Sequence, residues 1–103
     1  MNISHTLFQF GSALEMQVVT QITDYTVTNA DSVVLVNASA GDIAITLPTG
    51  SAGRFYTIKK IDSTGNIVTV AGDGSIDSSI TKEITLENSA MEILSDGVDW
   101  WII

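Results

Sequence analysis

The chain has no cysteine among its 103 residues, so disulfides and thiolate metal sites are excluded. It has one proline and one histidine, and only four basic residues against twelve acidic ones. Phosphate binding needs clustered Lys and Arg. Here Arg54, Lys59 and Lys60 sit near one another and Lys82 stands apart, which makes no basic stripe. Nucleic acid and anionic membrane surfaces are therefore not expected partners. No apolar run approaches the roughly 18–20 residues of a membrane span. The first residues lack a basic stretch followed by an apolar one, so no secretory signal is expected. The net charge of −8 is read first as solubility, with attraction to a basic partner as the sharper alternative.

What is present points to β-structure. Apolar residues make up 45% of the chain, enough for one core. Val, Ile and Thr supply about a third of the residues, the bias of pleated sheet. Short apolar or alternating runs are separated by Gly, Asn, Asp and Ser. They predict strands at Tyr25–Thr28, Ser32–Asn37, Asp42–Leu47, Phe55–Ile61, Ile67–Ala71, Thr81–Glu87, Ala90–Leu94 and Val98–Ile103. Ala40-Gly41-Asp42 separates two of them, and Pro48, without an N–H, closes the third. Ser63-Thr64-Gly65-Asn66 and Ser95-Asp96-Gly97 read as hairpin connections, and Gly72-Asp73-Gly74-Ser75 as a flexible corner. No internal repeat is visible. The expected fold is all-β: an antiparallel β-sandwich or small jelly-roll-like barrel over residues 23–103, preceded by an N-terminal arm over residues 1–22.

Alternation assigns faces. Ile43, Ile45 and Leu47 point one way in their strand, and Ile84 and Leu86 point inward in theirs. Two runs break the alternation, Val33-Val34-Leu35-Val36 and Trp100-Trp101-Ile102-Ile103, each apolar on both faces. With Val98, Trp100 and Ile102 inward, Trp101 and Ile103 point outward. A small domain cannot cover both faces of many strands, so a partner subunit or the N-terminal segment is expected over the outer side. That segment carries Leu7, Phe8, Phe10 and Leu14. Ser12-Ala13-Leu14-Glu15 fits a capping box, but an extended arm with Phe8 and Phe10 on one face is favoured. The candidate interface residues are Leu7, Phe8, Phe10, Leu14, Trp101 and Ile103.

No pattern carries catalysis, and no cofactor or metal is expected. His5 lies without a Ser or Asp motif around it. Gly72-Asp73-Gly74 precedes no helix pattern and no Lys, so it is no phosphate loop. Asp73 and Asp77 lack the alternating ligands and closing Glu of a calcium loop. No carboxylate pair is singled out for glycosidase work. Trp101, Tyr25 and Tyr56 could stack on sugars, although core or interface roles are the commoner use of such residues.

From Asp24 onward the order of motifs is Asp24-Tyr25-Thr26-Val27-Thr28, Val33-Val34-Leu35-Val36-Asn37-Ala38 and Ile43-Ala44-Ile45-Thr46-Leu47-Pro48. It continues with Gly53-Arg54-Phe55-Tyr56-Thr57-Ile58-Lys59-Lys60, Asn66-Ile67-Val68-Thr69-Val70 and Gly74-Ser75-Ile76-Asp77. It closes on Leu94-Ser95-Asp96-Gly97-Val98-Asp99-Trp100-Trp101-Ile102-Ile103. This series resembles a small β-rich module of tailed-bacteriophage virion proteins, found in tail fibres, head fibres and head decoration proteins. The first 22 residues fall outside it. The resemblance implies a non-enzymatic homotrimer in the virion. A short chain ending in the module suits a capsid decoration (cement) protein bound to the major capsid protein, with the arm as its anchor. A tail fibre or host-adsorption protein is the second expectation, and a carbohydrate-binding module the third.

Overall fold

The computed structural model describes residues 15–103, and every strand in it lies within that range. The strands are β1 (Val18–Gln21), β2 (Tyr25–Thr26), β3 (Val33–Val36), β4 (Ile43–Thr46), β5 (Phe55–Lys60), β6 (Val68–Ile76), β7 (Ser79–Ile84), β8 (Ala90–Ser95) and β9 (Trp100–Ile102). No helix occurs among the described residues. The protein is all-β, as its composition and alternation predict.

The pairing differs from the antiparallel sandwich or jelly roll expected from sequence. One sheet runs in the order β1-β3-β5-β8-β9-β6-β4-β2, with β7 added to β6. Pairs β1–β3, β3–β5, β2–β4, β4–β6 and β6–β9 are parallel. Only β5–β8, β6–β7 and β8–β9 are antiparallel. The chain therefore alternates between two arms, laying β1, β3 and β5 side by side in one and β2, β4 and β6 in the other. This is a coil of strand pairs. The antiparallel β8–β9 hairpin bridges the two arms beyond β5 and β6.

Sequence reading found no repeat because the coils differ in length. Val18 pairs with Val33, whereas Val33 pairs with Thr57. The repeat shows instead in a shared device. Asp24 Oδ1 accepts from the Ala44 amide at 2.8 Å, and Asp42 Oδ1 accepts from the Ile67 amide at 2.8 Å. Each carboxylate, placed just before a strand, takes a donor from the next coil. That satisfies an amide at a ladder end that would otherwise lack a partner. Ser63–Asn66 accordingly carries the chain from one arm to the other, and is not a hairpin.

The inward faces of both arms fill one core. It includes Val34, Val36, Tyr56 and Ile58 from one arm and Val27, Ile45, Val68 and Val70 from the other. Trp100 closes it from β9, 1% exposed, with its ring 5.8 Å from that of Tyr56. Two inward assignments fail. Leu86 lies past the end of β7 and is exposed, and so is Val98, in the turn before β9. Ile102 keeps its inward assignment as the register partner of buried Ile93, although at the rim of the sheet it is 36% exposed. β1 lies inside the segment read as an arm, because Val18–Gln21 pairs with β3.

The Gly72–Ser75 corner is part of β6, at a register shift between Ala71 and Ile76. A Cβ on Gly74 would lie 2.3 Å from the Val98 carbonyl oxygen and 2.8 Å from Asp99 Oδ1. The same Asp99 oxygen accepts from the Ser75 amide and hydroxyl at 3.0 and 3.2 Å. Glycine is thus required by close backbone approach. Gly74→Ala is expected to cost about 1–3 kcal/mol by overpacking, read as a lower urea midpoint, whereas Gly65→Ala, with open space around it, serves as the tolerated control.

The β6–β7 turn carries no glycine. Asp77 and Ser78 both adopt positive φ, 48° and 68°, the backbone of a two-residue primed hairpin turn. Asp77 also anchors β9. Its amide donates to the Trp100 carbonyl at 3.0 Å, and its Oδ1 accepts from the Ile102 amide at 3.0 Å.

Candidate functional site

The two runs that are apolar on both faces meet on one surface. In a β-ladder, register partners point to the same side. Phe55 pairs with Leu94, and Leu94 with Trp101. Val18 pairs with Val33, Val33 with Thr57, and Thr57 with Glu92. The Ile103 amide donates to the Glu92 carbonyl at 3.0 Å, which places Ile103 at the end of that row. Thr20, Leu35, Lys59 and Ala90 form the third row. Their strand neighbours Val34, Val36, Tyr56, Ile58 and Ile93 are buried, so these rows form the outer face of β1-β3-β5-β8-β9.

This face is apolar and nearly uncharged. Phe55, Trp101 and Ile103 are exposed at 37%, 41% and 68%, and Val18 at 51%. Lys59 and Glu92 are the only charged residues in the three rows, with the Asp96 carboxylate at their edge against Trp101, so the face carries few charges for a chain of net charge −8. Trp101 is fixed in place. Its Nε1 donates to Asp96 Oδ2 at 2.9 Å. The Val98 and Asp99 amides donate to Asp96 Oδ1, each at 2.8 Å. The hydrogen bond from Trp101, then those from the Asp99 and Val98 amides, hold the Asp96 carboxyl below its ordinary value. A pre-set aromatic side chain loses little rotamer freedom on contact, which is what an interface anchor requires.

Trp101 and Ile103 thus lie on this face. Leu7, Phe8, Phe10 and Leu14, together with His5 and the first three residues of the capping box, lie outside the described residues. Sequence reasoning missed Val18, Leu35, Phe55 and Leu94 as members. The signal for Leu35 was the unbroken valine run. For Phe55 it was its alternation with buried Tyr56. Tyr25 and Tyr56 are not surface stacking residues. Tyr25 is half-buried and donates to Asp31 Oδ2 at 2.7 Å, while Tyr56 is fully buried and donates to the Thr28 carbonyl at 3.1 Å.

A second feature is internal. Lys60 is fully buried at the end of β5. Its Nζ donates to Asp62 Oδ2 at 2.7 Å, the Asp62 carbonyl at 3.1 Å and the Thr64 carbonyl at 2.8 Å. All three ammonium donors are therefore used. Asp62 also accepts from the amides of Ala38 and Thr64, at 2.7 and 3.1 Å, and from the Thr64 hydroxyl. Burial pushes the Asp62 carboxyl up, but Lys60, Thr64 and these amides outweigh it and hold it well below the ordinary carboxylate range. An exposed pair of this kind would count for little. The fold buries it instead, joining the turn after β3 to the turn after β5.

Comparison with known proteins finds no family model that matches the chain and no matching curated protein. Among the described residues, no group of three or more His, Cys, Asp or Glu is arranged to hold a metal ion. No helix among them is long and apolar enough to cross a membrane.

Proposed function

We propose that this protein is a non-enzymatic structural component of a bacteriophage virion, acting as a homotrimeric decoration protein on the capsid surface. The observation that carries the reading is the outer face of β1-β3-β5-β8-β9. An apolar face with few charges on an otherwise acidic chain is where copies can meet with least repulsion. The motif order from Asp24 to Ile103 supports the phage assignment by resemblance. Assembly through this face gives a trimer, and the apolar N-terminal residues Leu7, Phe8, Phe10 and Leu14 reach the major capsid protein. The stabilisation is mechanical. A trimer that binds the assembled shell and not its parts shifts the equilibrium toward the shell by mass action.

The test is copy number in purified virions by quantitative mass spectrometry, paired with removal of residues 1–14. Hundreds of copies, lost on that deletion, support capsid decoration. The deletion stops at residue 14 because β1 and its lead-in follow. A handful of copies moves the protein to the tail, and none removes the virion role.

A tail-fibre role is the second reading, and one observation favours it. β1 and β2 stand at the two ends of the sheet path. Their outer edges are of the kind that accepts a further strand. A module within a longer fibre would present such an end.

A further inference from the structure

A cavity of about 320 Å³ lies between the β2–β3 and β4–β5 connections, lined by Asn29, Asp31, Ser32, Ser51, Arg54 and Phe55 among others. Its lining is almost wholly polar, and it holds one cation and one anion that do not meet. Lys60–Asp62 is the only ion pair within 4.0 Å among the described residues. Each of the two charges is held in place. Arg54 Nη1 donates to the Asn29 carbonyl at 3.1 Å. Asp31 is 6% exposed, and its Oδ2 accepts from Tyr25 Oη at 2.7 Å and the Thr28 amide at 3.0 Å. Among the described residues no donor reaches Asp31 Oδ1. A fixed guanidinium and a fixed carboxylate across one cavity leave room for a group that donates to one and accepts from the other.

We infer that this cavity binds a neutral saccharide unit. Adjacent hydroxyls on a pyranose ring both donate and accept, so one can donate to Asp31 Oδ1 while its neighbour accepts from Arg54. The Ser32 and Ser51 hydroxyls add adaptable partners. Phe55, 37% exposed at the rim, offers a ring on which the C–H face of the sugar packs. An anionic ligand is disfavoured, because Asp31 faces the site and the chain is acidic overall. The inference goes beyond the assembly role and does not depend on it. The cavity sits on connecting loops, and only Phe55 is shared with the outer face.

The experiment is a titration of the whole protein, followed by amide chemical shifts, with glucose, galactose, mannose and N-acetylglucosamine, and with glycine as a zwitterionic probe. At least one saccharide is expected to give saturable shifts at Asn29, Ser32 and Ser51–Arg54, with a Kd of about 1–10 mM, as befits one sugar in an open site. Ser51→Tyr, which fills the cavity from an exposed position, and Arg54→Gln are each expected to weaken binding at least tenfold, with the remaining spectrum unchanged. Absence of shifts with all four sugars overturns the proposal. So do shifts that persist in Ser51→Tyr, or glycine binding where the sugars fail. Ile103→Glu, on the outer face and paired with no residue of the cavity lining, is expected to leave saccharide binding intact. Loss of assembly and loss of binding are therefore read separately.

Discussion

Leu94→Glu/Trp101→Glu is expected to turn the assembled protein into a monomer. The two residues are register partners in the row Phe55–Leu94–Trp101, on the outer face. A buried aromatic anchor is typically worth 2 kcal/mol or more at an interface. Like charges brought together cost several more. Each copy at the contact would bring two new carboxylates to a chain already at −8. Together these effects exceed about 4 kcal/mol, roughly a thousandfold in affinity. Sedimentation equilibrium should give three times the 11.0 kDa chain for the wild type, and one chain for the variant. The fold should survive, because Trp100 and the inward row are untouched. Near-ultraviolet circular dichroism from buried Trp100 and Tyr56 checks that. A wild-type chain that is monomeric at high concentration would reject this face as a homotypic contact.

Lys60→Met is expected to be the most damaging single substitution for stability. It leaves the Asp62 carboxylate buried with no cation. Breaking a buried pair from one side costs about 3–5 kcal/mol, against a typical total of about 5–15 kcal/mol for a domain. Asp62→Asn should cost a similar amount by stranding the ammonium. The double variant should lose less than the sum, since each single change already removes the shared interaction. Urea midpoints measure all three. The pair also predicts a pH dependence. Asp62 is held below its ordinary value in the folded state, so its contribution is fully present above the unfolded carboxylate pKa, near 3.9. It is lost as the pH falls below that value. Wild-type stability should therefore drop on acidification more steeply than that of Asp62→Asn. Parallel curves would show that Asp62 titrates normally.

Strand positions were legible because period-2 alternation is a local property. Ile43, Ile45 and Leu47 needed only their own segment to be read as one buried face, and they are buried. Gly97 marked the β8–β9 turn correctly, with φ at +99°. Asp77-Ser78 went unread as a turn, because neither residue is the glycine or asparagine that usually announces positive φ there. Leu86 was assigned inward because alternation cannot show where a strand ends. β1 was read as arm because its pattern was taken together with the apolar residues before it.

The sequence by itself determined the all-β class, most of the strands and the two runs with more apolar surface than one domain can cover. Those are local quantities, set by side-chain type and spacing. Partnership between strands was decided only in three dimensions. Parallel pairing joins residues separated by different lengths of chain in each coil, so no fixed period reports it. Tertiary structure alone placed Phe55, Leu94 and Trp101 in one row, buried Lys60 against Asp62, and set Arg54 across a cavity from Asp31. In each case the contact depends on which strands become neighbours, and that follows from closing one core between two arms.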